Sequence, residues 1–181
     1  MTLSKPQYGA IVLMLEAGLR IGETLALKWE DVLWNRKAIY VRRTLVRLST
    51  RAGAVYVQDS PKSKTSIRKV PLSNRAYEVL DRMFNQSLTK EGYVFARPDD
   101  SSLPYSYSSV EFHTRVLCKD LGISYKGMHA FRHTFATNCY NRGCDVKILS
   151  KLLGHADVSI TYNIYIHLYG DALEEMRSVL D

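Results

Sequence analysis

Between Lys126 and His167 the sequence alternates helix-forming runs with single glycines, and this stretch constrains the architecture more than any other. The run from Phe131 to Tyr140 contains neither Gly nor Pro and predicts a helix, which Gly143 stops. A second helix is predicted from about Asp145, with Val146, Ile148, Leu149, Leu152 and Leu153 as its apolar face. Gly154 ends it and leaves His155 at a helix C-terminus. His129 and Arg132 are three residues apart, so on a helix they share a face. Tyr162 and Tyr165 follow shortly after His155. Short helices of this kind bring an arginine, two imidazoles and a phenol together, a set able to bind a phosphate and attack it.

The 181 residues suit one domain with a sizeable core, and 46% hydrophobic with 24% charged residues is ordinary for a soluble globular chain. There is no apolar run of eighteen residues, and the first residues, MTLSKPQYG, lack the apolar core of a signal peptide. The net charge of +7 fits an anionic partner, with nucleic acid the first candidate and an uninvolved basic surface the alternative. Three cysteines, Cys118, Cys139 and Cys144, fit free thiols in a reducing compartment. Cys139 and Cys144 with His129 or His133 form the one zinc-like combination, but no C-x-x-C supports it.

Residues 6–17 predict a helix with Pro6 in its first turn, and Gly18 breaks it. A second helix is predicted from Gly22 to Trp29, which puts Arg20 at a helix–helix joint that can hold a guanidinium rigidly. Alternating β-branched residues predict strands at 38–41, 54–57 and 67–71, forming one small antiparallel sheet. Residues 36–69 contain ten Lys or Arg and a single acid, Asp59. Such charge protects a sheet edge from aggregation, and it also suits phosphate contacts. Ser73 predicts the N-cap of a helix to about Leu88, with Ala76, Val79, Leu80, Met83 and Phe84 buried. A further helix is predicted from Ser106 or Ser108 to about Leu121-Gly122, and an acidic one from Asp171 to Leu180.

Transfer at a phosphodiester needs stabilisation of the non-bridging oxygens, a nucleophile and a proton for the leaving oxygen. Metal enzymes use carboxylate clusters for this work, but the acids here are scattered, with no D-x-D and no H-E-x-x-H. No glycine-rich phosphate loop is present. What remains is a metal-free set of Arg, His, Lys and Tyr. Spacing alone leaves alternatives: His129 and His133 also suit a metal pair or core histidines, and with twelve tyrosines one beside a histidine means little.

Three blocks in order then carry a resemblance. A-G-L-R-I-G-E-x-L-x-L-x-W-x-D spans Ala17 to Asp31, P-K-S-K-T-S-I-R-K-V-P-L spans residues 61–72, and H-x-x-R-H-T-F-A-T, L-L-G-H and N-x-Y-x-H span His129 to His167. Together they resemble the tyrosine recombinases, most closely the integrases of conjugative transposons, over most of the chain. The resemblance implies an α+β fold, a mainly helical catalytic domain over residues 1–181 with a small antiparallel three-stranded sheet. The helical core-binding and arm-binding domains usual in the family are not in this sequence. The acidic segment 170–181 resembles the family's tail helix, which docks in trans on a neighbouring protomer.

Carried over onto these positions, the resemblance makes Tyr165 the nucleophile, forming a 3′-phosphotyrosyl link and a free 5′-hydroxyl. Arg20 and Arg132 hold the non-bridging oxygens, His155 adds a hydrogen bond, and His129 takes the tyrosine proton. Lys64 is the general acid, with Lys62 close enough to compete for that role, and Glu23 supports Arg20. Tyr162 is the rival nucleophile, but only Tyr165 sits in the N-x-Y-x-H context. Arg42, Arg43, Arg47, Arg68 and Lys69, with Lys62, are the expected DNA contacts. No metal and no cofactor are implied. The partners implied are double-stranded DNA, a second copy on each crossover site, a tetramer across the paired sites and a directionality factor, in a bacterial cytoplasm without membrane attachment. Two alternatives remain: type IB topoisomerase-like nicking, which uses a similar residue set, and a basic DNA-binding module without catalysis.

Overall fold

The computed structural model describes residues 6–50, 53–59 and 66–166, with the side chains of 6, 47–50, 53–59 and 163–166 outside that description. Helix α1 (Pro6–Ala17) is the centre of the fold. Ala10, Ile11, Val12, Leu13, Met14 and Ala17 are all buried, so the helix is covered around its circumference. A helix apolar on every side can only be satisfied in this way. Helices α3 (Asn74–Gln86), α4 (Tyr107–Asp120) and α5 (His129–Asn141) all pack against it. Gly9 allows the approach of α3, because a Cβ there would meet Met83 Sδ at 2.6 Å.

Helix α3 follows the expected stripe, burying Ala76, Val79, Leu80 and Met83. Ser73 caps it as the sequence predicts, its hydroxyl accepting from the Ala76 N–H at 3.1 Å and donating to Glu16 Oε2 at 2.9 Å. Ser106 caps α4 in the same manner through the Ser109 N–H. The second helix, expected over 22–29, is shorter. Helix α2 covers Ile21–Leu25, and a 3₁₀ turn follows at Trp29–Asp31. The backbone between them is drawn away by residues 92–94: Val94 N–H donates to the Leu27 carbonyl and Trp29 N–H to that of Gly92. Tertiary hydrogen bonds thus override a favourable local propensity.

The strand assignment also differs from expectation. The three-stranded antiparallel sheet exists, but its strands are β1 (Val32–Leu33), β2 (Ala38–Val41) and β5 (Arg68–Pro71), in the order β1-β2-β5. The expected strand at 54–57 belongs instead to a separate two-stranded ribbon, β3 (Thr44–Thr50) with β4 (Gly53–Asp59). TLVRLST directly follows β2 and is β-branched, so a hairpin pairs it with the next strand in sequence. Val41 then pairs with Arg68 across the sheet.

Helix α6 (Val146–Leu153) packs on α5, burying Leu149 and Leu153 against Ala136, with Phe135 beside them. Asp145 caps it, and Gly154 ends it in the left-handed conformation, φ +67°. Helix α7 (Val158–Ile166) follows. The acidic segment 170–181 lies outside the described residues. Among the described residues, no helix is long and apolar enough to cross a membrane.

Candidate active site

Four of the six expected catalytic positions are brought together by two chain turns. Arg20 is the N-cap of α2, in extended conformation, and Glu23 stands at the third helical position. The Glu23 carboxylate accepts the Arg20 backbone N–H at 2.9 Å and Arg20 Nη1 at 2.8 Å. The capping geometry therefore fixes the guanidinium beside its own helix start. The Arg20 side chain remains 37% exposed.

Arg132, one turn into α5, is buried. Its Nη1 donates to the Gly18 carbonyl at 2.8 Å and its Nη2 to the Leu153 carbonyl at 2.5 Å. Glu23 Oε2 lies 3.9 Å away. Burial and the charge of Arg20 pull the Arg132 pKa down to about 9, against the opposing pull of Glu23. The group still carries its charge at neutral pH.

The Leu153 carbonyl is available because α6 stops there, leaving its last carbonyls without helical partners. Arg20 Nη1 reaches the same oxygen at 3.5 Å. One residue beyond the Gly154 cap, His155 pairs through Nδ1 with the buried Thr161 hydroxyl at 2.8 Å. Burial, then the charges of Arg132, Arg20, Arg68 and His129, lower its pKa to about 4. His129 opens α5, its ring 4.9 Å from that of His133 in an edge-to-face arrangement. Burial, His133, Arg132 and Arg20 lower its pKa as well. Beside it runs a groove of about 480 Å³ lined by Lys126, His129, His133 and Thr137. The result is two arginines and two neutral imidazoles around one helix end, an arrangement suited to a phosphate.

Tyr165 falls within α7, but its side chain lies outside the described residues, and so do Lys62 and Lys64. Tyr162 is 46% exposed. The expected DNA contacts separate into two groups. Lys69 is exposed, whereas Arg42 and Arg43 are held in ion pairs by Asp31 and Glu30. The Arg47 side chain is outside the described residues. Arg68 points inward, against the expectation of a DNA contact, and is 8% exposed. Its Nη1 and Nη2 meet the two Glu23 oxygens at 3.1 and 3.0 Å, and its Nε donates to the Leu152 carbonyl at 2.5 Å.

Sequence reasoning placed Arg68 among the DNA contacts rather than inside the site, and gave Thr161 no role. A signal for Arg68 was present: in a strand it shares a face with Val70, and that face is buried while Ile67 and Lys69 are exposed. Nothing in the spacing marks Thr161. Cys139 and Cys144 pack beside the small core of Ala136, Leu149 and Leu153. Among the described residues, no three His, Cys, Asp or Glu side chains cluster so as to hold a metal ion.

Comparison with known proteins places the chain in a family. Residues 1–171 match the model of the phage integrase family. A "tyrosine recombinase XerC-like" protein of Caldanaerobacter subterraneus subsp. tengcongensis is 31% identical over 87% of this chain and 44% of its own length. The ICEBs1 integrase of Bacillus subtilis is 30% identical over 91% of this chain and 45% of its own. The solved structure of the Tn1549 transposon integrase in complex with circular intermediate DNA superposes with a TM-score of 0.75 at 28% identity, covering 96% of this chain and 59% of that one. The chain thus spans less than half the length of these curated relatives. With a family match over nearly its whole length and the arginine–histidine cluster in place, the chain belongs to the phage integrase family.

Proposed function

We propose that the chain is the catalytic domain of a tyrosine site-specific recombinase that integrates or excises a mobile element. The observation that carries the proposal is the convergence of Arg20 and Arg132 on Glu23 and on the C-terminal end of α6, with His155 one residue further on. In this reading, Tyr165 attacks the scissile phosphate and the 5′-oxygen leaves with a proton from Lys64. Arg20 meets a non-bridging oxygen with its exposed edge, and Arg132 offsets the growing negative charge from beneath. Neutral His129 accepts the tyrosine proton, a role its lowered pKa favours at neutral pH. His155 pairs with the Thr161 hydroxyl through Nδ1; in this reading Nδ1 accepts from that hydroxyl, the ring proton sits on Nε2, and Nε2–H donates a hydrogen bond to the phosphate. The phosphotyrosyl link conserves the bond energy, so the strand rejoins to a partner without a cofactor.

Double-stranded DNA is the substrate in this proposal. The DNA-bound state of the Tn1549 relative supports it, as does the basic 36–69 segment, where Lys69 is exposed to contact a backbone. Arg42, Arg43, Arg47 and Lys62 are the further DNA contacts in this reading. A tetramer on DNA, with a directionality factor, follows from the same reading.

A nicked suicide duplex carrying the element end tests it. Incubated in EDTA, wild-type protein gives a covalent protein–DNA band and Tyr165→Phe gives none. A band that persists in Tyr165→Phe and disappears in Tyr162→Phe moves the nucleophile. Binding without a band, in the full-length protein, supports a non-catalytic DNA-binding module. Relaxation of plasmids that lack the element end supports the topoisomerase-like alternative.

A further inference from the structure

The inward turn of Arg68 has a consequence for the reaction. Arg68 begins β5, the strand that closes the three-stranded sheet, and its guanidinium crosses to two other elements. Toward α2 it meets both Glu23 oxygens, at 3.1 and 3.0 Å. Toward α6 its Nε donates to the Leu152 carbonyl, and a third contact runs from Nη1 to the Ser66 carbonyl at 3.0 Å. The ion pair is closed to solvent on both sides, with side chains 7% and 5% exposed. A planar fork with fixed donor directions is the one cationic group that can satisfy a carboxylate with two nitrogens and a helix carbonyl with a third.

The fit also depends on Gly154. A Cβ at that position would lie 2.9 Å from Arg68 Nη1 and 3.1 Å from Cζ. The guanidinium thus lies against the bare Cα of the residue that caps α6. Leu152, Leu153, Gly154 and His155 are consecutive, and Arg68 holds the first by hydrogen bond and the third by close packing. Glu23 in turn holds Arg20. One buried side chain therefore ties the α6 terminus, which carries His155, to the carboxylate that orients Arg20.

We propose that Arg68 is a positioning residue: it sets the location of His155 relative to Arg20 and Arg132 by clamping Glu23 and the α6 C-terminus together. It touches no substrate. The proposal rests on the functional reading above for its kinetic consequence, but its structural consequence is separately measurable.

The test uses the full-length recombinase with Arg68→Lys, which keeps the charge and loses the fork. Because a lysine can leave the Glu23 pocket poorly satisfied, Arg68→Gln, which is neutral and leaves Glu23 to Arg20 and Arg132, is made alongside. Two readouts are taken on folded protein. The first is the His155 tautomer, from long-range ¹H–¹⁵N spectra of labelled protein without DNA. Wild type shows a single tautomer, and both variants show His155 released into a mixture. The second is single-turnover formation of the covalent adduct on the nicked duplex. A displacement of about 1 Å at a reacting centre costs about 100-fold, so both variants slow adduct formation by about that factor, while duplex affinity stays within about threefold of wild type.

Unchanged His155 signals in either folded variant overturn the proposal. So does an adduct rate within about threefold of wild type, or a loss of rate matched by an equal loss of affinity. If wild-type protein forms no adduct, the recombinase reading fails, and the His155 tautomer still decides whether Arg68 positions that residue.

Discussion

Arg20 and Arg132 share an acceptor, the carbonyl oxygen of Leu153, at 3.5 and 2.5 Å. Two like charges are held side by side because Glu23 lies between them, 2.8 Å from one and 3.9 Å from the other. Burial acts to raise the Glu23 pKa, but the hydrogen bond and charge of Arg68, with those of Arg20, outweigh it and keep the carboxylate ionised.

Removing that carboxylate leaves buried positive charge without a counter-ion. Glu23→Ala should therefore lower stability by about 3–5 kcal/mol, the usual cost of breaking a buried pair from one side. Urea denaturation measures this. Arg75→Ala, which opens only an exposed pair with Glu16, should cost less than about 1 kcal/mol.

The two site histidines make stability depend on pH. His155 titrates at about 4 in the folded protein and His129 also sits below its ordinary value of 6.5. Both pKa values are depressed, so between these values and about 6.5 the unfolded chain binds more protons than the folded one. Their contribution is fully present above about pH 6.5 and is lost as pH falls toward 4. The urea midpoint should fall over that range, and His155→Gln should fall less steeply. A His155→Gln slope equal to that of wild type would remove His155 from the account.

Gly18 and Gly143 both have positive φ, +64° and +81°, but they differ in the space around them. A Cβ on Gly18 would lie 2.3 Å from the Phe135 ring, whereas nothing approaches Gly143 within 4 Å. Gly143→Ala should carry the backbone cost alone, about 1 kcal/mol. Gly18→Ala adds overpacking, a further ~1–3 kcal/mol. It also displaces the carbonyl that receives Arg132. Thermal melts of the two variants should separate accordingly, with adduct formation impaired only at Gly18.

On DNA, Lys69 and Arg42 should behave differently. Each phosphate neutralised contributes about 0.9 to the slope of log affinity against log salt. Lys69 is exposed, so Lys69→Ala should reduce the slope by about that amount. Arg42 is hydrogen-bonded to Asp31 Oδ1 at 2.6 Å and to Glu30 Oε1 at 2.9 Å, so its charge is already matched. Arg42→Ala should change the slope less. Filter-binding titrations from low to moderate salt distinguish the two.

The helices were legible in the sequence because glycines and capping residues punctuate them: Ser73, Ser106, Asp145 and Gly154 stand where they were expected. The arrangement of strands was not. Whether 54–57 joins the sheet or a ribbon depends on 44–50 pairing with it, a choice made by neighbouring strands rather than by either segment. Likewise the 22–29 helix ends early because residues 92–94 compete for its backbone. The grouping of Arg20, His129, Arg132 and His155 followed from the motif blocks. The inward turn of Arg68 did not, because a run rich in Lys and Arg conceals a member whose alternation matches a buried valine.

The ending of α6 at Gly154 has one more consequence. Its Leu153 carbonyl receives Arg20 from 133 residues earlier, and the Gly18 carbonyl receives Arg132 from 114 residues away. Contacts between such distant segments form late, after most loop closure has been completed. An unfinished chain still on the ribosome, or one cut within α5, holds its arginines apart. The arginine pair therefore closes only after α5 and α6 have both been made and have docked beside α2.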